Sequence, residues 1–409
     1  MSQPIEGDQA SLVVIHQSLN RHRELLSKVN QKIFSNPETA FQEFVAHDAI
    51  VEALQSEGIK VTPHAYDVQT AFEAEYGSGG RVLTFNAEYD ALPEIGHGCG
   101  HNLIATTSLG AFLSVMDALK DSGNPGRVRL LGTPAEEAHG GKITLIEKGA
   151  YKDVDACMMM HPTAQSVFRE DVLGDAYDRT LAISGFKVTF HGKAAHAALA
   201  PWEGINALDA AVAGYNNISV LRQQVRPDER IHGIIVEGGS RPNVIPDKAV
   251  LEYNVRAPTL ARAQALQERA VRCFRGAAEA TGCELETKVL GAYADLRASV
   301  PICRAFQKAI GDLGYKVLCD TNREITPAST DQGNVSYECP SWQGLFGILS
   351  DDGAWPHTEG FARAAGKAAS FERSLISCEG MAITGYRFLT DDDLALEVKE
   401  YFQKQQRHD

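Results

Sequence analysis

The chain has 409 residues, room for two or three domains at about 150 residues each and for a large core with a deep cleft. Hydrophobic residues make up 44%, charged residues 22% and aromatics 8%, the balance of a folded globular protein and not of a disordered or fibrous one. Lys plus Arg (39) against Asp plus Glu (53) leaves a formal charge of -14, a field that repels phosphate backbones and anionic headgroups, so neither nucleic acid nor membrane is expected as a partner.

Met1 to Ala10 lacks the basic start and apolar stretch of a secretory signal, and no apolar run approaches the roughly 20 residues that span a bilayer. Residues 12–34 and 41–57 carry apolar side chains at helical spacing, with Asn36-Pro37-Glu38 as the turn between two helices. Two short β-rich runs, 71–76 and 81–87, flank Gly77-Ser78-Gly79-Gly80, which reads as a hairpin-like break. Helix 102–120, strand 127–131, helix 142–148 and strand 156–160 then alternate as in the βα units of a mainly parallel sheet.

From Thr180 the order changes to strand 181–190, helix 203–224, strands 231–237 and 248–256, helix 259–281 and strand 283–290, which is the ferredoxin-like βαββαβ order. Helix 301–313, short apolar strands, a helix from Phe361 to about Ser374 and further helix close the chain. The expected architecture is an α/β catalytic domain built from residues 1–180 and 296–409, with an inserted ferredoxin-like α+β lid or dimerisation domain at 181–295. Eight cysteines (99, 157, 273, 283, 303, 319, 339, 378) form no C-x-x-C pair, so reduced thiols in a cytoplasmic protein are expected. The sequons at Asn217 and Asn334 are then incidental.

Four segments carry chemistry, and each follows a predicted strand or opens a helix. Glu88-Tyr89-Asp90 precedes His97-Gly98-Cys99-Gly100-His101, whose imidazoles and thiol are spaced by glycines and can turn soft donors toward one point. The alternative is a glycine-rich turn around a buried thiol. Glu136-Glu137 after a strand is either a solvated helix start or a pair in which one carboxylate ligates metal and the other moves protons. His161 ends an apolar strand, where an unpaired core imidazole would be costly, and His357 precedes a helix.

Together with His191-Gly192-Lys193-Ala194-Ala195-His196-Ala197 and Asn243-Val244-Ile245-Pro246-Asp247, these segments resemble the dinuclear-metal aminoacylase and carboxypeptidase family, the M20 peptidases. The likeness, over about residues 20–390, is to the branch of auxin-conjugate amidohydrolases and β-alanyl-lysine dipeptidases. The resemblance implies that Cys99, His101, Glu137, His161 and His357 hold two divalent ions and that Glu136 is the general base for water attacking an amide carbonyl. It puts Asp90 at the acidic position behind the ligands and gives His196 an oxyanion contact made across a dimer interface. Asn243 and Arg256 would grip a substrate carboxylate.

The implied activity is metal-dependent hydrolysis of N-acyl amino acids or dipeptides by a homodimer. Zinc is the first choice for a thiolate and imidazole shell, with manganese, cobalt and nickel as the other candidates. Asn102 and His139 stand where many relatives have Asp and Gly, departures expected to reshape substrate preference.

Three other readings compete. N-carbamoyl amino acids suit a similar site. A non-catalytic member of the family would keep the site to bind a small ligand. A cysteine hydrolase would use Cys99 with His97 or His101 as base, but leaves Glu136, Glu137 and His357 without a task. No G-x-S-x-G elbow or G-x-G-x-x-G loop occurs.

Overall fold

A computed structural model describes residues 6–138 and 140–407. The helices are α1 (Glu6–Phe34), α2 (Phe44–Ser56), α3 (His101–Ser122), α4 (Gly141–Glu147), α5 (Ala207–Leu221), α6 (Leu260–Thr281), α7 (Val300–Asp312), α8 (Gln332–Glu338), α9 (Glu359–Ala365), α10 (Ala368–Thr390) and α11 (Asp392–Gln406). The strands are β1 (Val61–Pro63), β2 (Phe72–Ser78), β3 (Val82–Ala87), β4 (Gly126–Gly132), β5 (Ala156–Ala164), β6 (Gly174–Asp175), β7 (Ala182–His191), β8 (Arg230–Glu237), β9 (Lys248–Ala257), β10 (Glu284–Tyr293), β11 (Val317–Leu318) and β12 (Ser341–Ile348). The chain divides into two compact units. The larger takes residues up to 179, 297–324 and 334 onward; the smaller takes 180–296 and 325–333.

The larger unit is α/β, built on a mixed sheet in the order β1-β2-β4-β3-β5-β12-β6-β11. Its four central strands, β4-β3-β5-β12, are mutually parallel. All six residues of β3 are buried, which explains its unbroken apolar character: helices cover both faces of a parallel sheet. Helix α3 packs against α1, α10 and the strands β3 and β5. It is apolar and long enough to cross a membrane, yet it is almost wholly buried as a core helix.

Two expectations are corrected here. β2 and β3 do not form a hairpin, because β4 lies between them, antiparallel to β2 and parallel to β3. The intervening glycines allow the strands to part. Gly77 has φ +102°, and a Cβ there would meet the Gly126 carbonyl oxygen at 2.1 Å. The helix expected from Phe361 to Ser374 is two helices broken at Gly366, where a side chain would collide with the Phe34 ring at 2.3 Å.

The smaller unit is an antiparallel sheet in the order β10-β7-β9-β8 with α5 and α6 packed on it, the ferredoxin-like arrangement. Phe186, Phe190, Tyr253 and Phe274 fill the space between sheet and helices, with the Tyr253 and Phe274 rings 5.1 Å apart, edge to face.

Candidate metal centre

Strands β3 and β4 end side by side, and the chain leaving each of them carries acidic groups. Thr133 locks the two exits together, donating from its N–H and hydroxyl to the Ala87 carbonyl at 2.8 and 3.0 Å. Glu88, Tyr89 and Asp90 follow β3 directly and are buried. Beyond β4, Ala135 adopts φ +62°, unusual for a residue with a Cβ, and turns the chain so that Glu136 and Glu137 follow. Its N–H donates to Glu43 Oε1 at 2.9 Å. The neighbouring strand β5 carries His161 past the point where β3 stops pairing with it. Pro162 can therefore sit inside β5 with only β12 beside it.

The His97–His101 turn is shaped by Gly100 at φ +80°, where a Cβ would strike Pro162 at 2.6 Å. His357, also left-handed at φ +67°, donates its N–H to the Gly98 carbonyl at 2.8 Å, which pins it to the same turn. Thr358 then caps α9 through Phe361 N–H.

Five of the residues singled out from sequence converge. Donor atoms of Cys99, His101 and His161 lie within 4.8 Å of one another, and so do those of Cys99, Glu137 and His357, so the thiol belongs to both groups. His101, Glu136 and Glu137 form a third such group. Cys99 Sγ is 3.4 Å from His161 Nε2, and Glu137 Oε1 is 3.7 Å from His101 Nε2 and 3.4 Å from His357 Nε2.

The tautomers follow from the partners. His161 Nδ1 lies 2.7 Å from the Pro162 carbonyl and must donate to it, and His101 Nδ1 donates to Asp90 Oδ1 at 3.0 Å, so in each ring Nε2 is the atom left for the cluster. Asp90 accepts from Glu137 N–H at 2.9 Å through its other oxygen. It therefore orients one imidazole and one carboxylate at once.

The buried atoms His101 Nε2 and Glu137 Oε1 have no hydrogen-bond partner, an arrangement costly for polar groups and suited to a cation. Burial pushes the Cys99 thiol well above its ordinary value, with the Glu137 charge adding to the effect. A thiol in that state is not an activated nucleophile, which weighs against the cysteine-hydrolase reading; a bound cation would favour the thiolate. Burial opposes a charge on His101, but Asp90 holds the ring well above the usual histidine range. His97 is turned away from the cluster, its Nε2 on the Ile33 carbonyl at 3.1 Å, and burial lowers it to about 4.

Sequence reasoning named Glu88 within an acidic segment without giving it a role, and passed over two further buried groups in this region, Lys142 and Glu43. Lys142 is fully buried and donates to Glu88 Oε1 at 2.5 Å. Burial and the Asp90 charge raise the Glu43 carboxyl to about 7. Asn102 donates to Asn30 Oδ1 at 2.8 Å and to the Ala365 carbonyl at 3.0 Å, so its side chain ties helices together and does not reach toward ligand. His139 lies outside the described residues.

In the smaller unit, His196 bridges to Val244, and Ala197 N–H donates to the Asn243 carbonyl at 3.1 Å, which joins the two loops that carry His196 and Asn243. His196 Nδ1 accepts from the N–H groups of Ala198 and Leu199 at 3.2 and 3.1 Å, so its proton is on Nε2 and the exposed ring is a donor. Arg256, half-buried on β9, donates to Ser329 Oγ at 2.8 Å.

Residues 181–281 match the family described as the peptidase dimerisation domain of the M20 type. The chain is 39% identical to a mouse Xaa-Arg dipeptidase over 93% of its own length and 89% of the relative's. It is 31% identical to one of the two p-aminobenzoyl-glutamate hydrolase polypeptides of Escherichia coli K12, over 73% of this chain and 65% of that one. Among solved structures, a dinuclear metal-binding M20 peptidase from Bacillus subtilis superposes with a TM-score of 0.68 at 22% identity, covering 90% of this chain and 98% of that one.

Proposed function

Because the chain belongs to the M20 family of metal-dependent peptidases and amidohydrolases, we propose that it cleaves the amide bond of a dipeptide or N-acyl amino acid, with dipeptides ending in a basic residue as the first substrates to try. The observation that carries the reading is the pair of donor groups sharing Cys99, with orphaned buried atoms between them. Cys99, His101 and His161 would hold one divalent ion, and Cys99, Glu137 and His357 the other. Such ions supply Lewis acidity toward the amide carbonyl and toward water. Zinc suits the thiolate and imidazole donors best.

The chain's own groups then divide the work. Glu136, 8% exposed and grouped with His101 and Glu137, takes the proton of the attacking water and passes it to the departing amine. Asp90 keeps His101 in the tautomer that leaves Nε2 free. His196 donates from Nε2 to the developing oxyanion, and Arg256 and Asn243 bind the substrate carboxylate. The net charge of -14 favours the approach of a cationic dipeptide.

The test joins metal analysis with a screen of dipeptides and acylated amino acids, read by release of free amine. Chelation abolishes turnover, and added zinc or manganese restores it. Glu136→Gln keeps the bound metal and lowers kcat by about 100-fold or more. An unchanged rate in that variant overturns the assignment of the base, and full turnover by metal-free protein overturns the centre.

A further inference from the structure

Glu88 stands one residue beyond β3 with no solvent exposure, and its two oxygens have different surroundings. Oε1 accepts from the fully buried Lys142 Nζ at 2.5 Å. Oε2 has no hydrogen-bond partner and lies 3.6 Å from His101 Nε2, itself an orphan. Since His101 Nδ1 is engaged by Asp90, Nε2 is the ring atom left to face Glu88 Oε2 and Glu137 Oε1, the latter at 3.7 Å. Two unpartnered carboxylate oxygens beside one unpartnered ring nitrogen in a dry site are costly, and a bound cation would satisfy them.

The spacing identifies what fits. At 3.6 Å no hydrogen bond forms, whereas two donors on one tetrahedral ion, each about 2.0–2.2 Å from it, stand roughly 3.4 Å apart.

We propose that Glu88 is a further metal ligand, sharing with His101 a divalent ion of the zinc class, while Lys142 fixes the carboxylate so that Oε2 faces the ion. The inference rests on the dinuclear reading above. Lys142 is a positioning residue: its ammonium neutralises part of a strongly acidic pocket and leaves Glu88 one free oxygen.

The test measures binding and not turnover. Wild type, Glu88→Gln, Glu88→Gln/Lys142→Met and, as a reference, Cys99→Ser are dialysed at buffered free zinc and analysed for metal; the cobalt(II)-substituted forms are then compared by visible absorption. Gln keeps the shape and an acceptor for Lys142, and the double variant removes both charges together, so a folded protein is available even if one of them fails. Both Glu88 variants are expected to hold one of the ions at least 10-fold more weakly and to change the intensity and position of the cobalt bands. Wild-type stoichiometry, affinity and cobalt spectrum in the folded variants overturn the role of Glu88. If Glu88 alone fails, wild type still binds two ions and Cys99→Ser still loses them. If the dinuclear reading fails, wild type binds fewer than two and Cys99→Ser changes nothing, which overturns both.

Discussion

Glu43 illustrates how one buried carboxyl serves a neighbour it never touches by side chain. One of its oxygens accepts from Phe41 N–H at 3.0 Å and from Ala135 N–H at 2.9 Å, and the second contact holds the left-handed residue just before Glu136. Burial and the Asp90 charge raise this carboxyl from 4.5 to about 7. A raised acid binds its proton more tightly in the folded chain than in the unfolded one, so its contribution to stability is present below about pH 4.5 and is lost as pH rises toward 7. At about 1.36 kcal/mol per pH unit the loss is roughly 3 kcal/mol. Glutamine keeps the accepting oxygen without the ionisation. In metal-free protein, Glu43→Gln should therefore match wild type in urea unfolding at about pH 4 and exceed it by up to about 3 kcal/mol at pH 8. Equal dependence on pH in the two proteins would show that Glu43 does not titrate in this window.

At the level of elements, the first turn of α3 does two jobs. His101 belongs to the candidate donor groups while Asn102, next in the chain, fastens α3 to α1 through Asn30 and to α9 through Ala365. Both contacts use the amide nitrogen as donor, so Asn102→Asp sets a buried carboxylate against two acceptors. It should cost about 3 kcal/mol in urea unfolding while leaving KM near wild type; a changed KM with unchanged stability would restore Asn102 to the substrate. The long elements were legible because apolar periodicity survives from sequence to structure: α3, α6, α7 and the strands of the smaller unit lie within a few residues of their expected bounds. The β2–β3 break was misread as a hairpin because a glycine run marks where a chain turns, not which strand will pair beside it; β4, about forty residues later, takes the place between them. The same limit hid Lys142 and Glu43. Cys99, His101, Glu137 and His161 stand out because their residue types and spacing are unusual. Lys142 instead reads as an ordinary charge at a helix start, and the bond from Glu43 to Ala135 spans 92 residues that no local pattern connects.

On the scale of the whole molecule, the smaller unit leaves an apolar patch exposed. Among the described residues β8 pairs with β9 alone, which leaves its other edge unpaired there, and Ile234 and Val236 on it are 63% and 51% exposed. On α5, Val212, Tyr215 and Val220 are exposed as well. A free, apolar edge strand invites pairing with a second strand, and two copies of one edge meet naturally about a two-fold axis. These residues fall inside the 181–281 segment that matches the peptidase dimerisation domain. We therefore expect a homodimer of about twice 44.4 kDa by light scattering, formed through β8 and the adjoining face of α5. Replacing Ile234 and Val236 together with Asp puts four like charges across the two-fold and should give a folded monomer that still binds its metal. If His196 serves the active site of the other subunit, that monomer loses nearly all turnover, and mixing it with a metal-free His196-intact dimer does not restore it. A monomer with full kcat would instead require His196 to act within its own chain, and a variant that stays dimeric would move the interface away from β8.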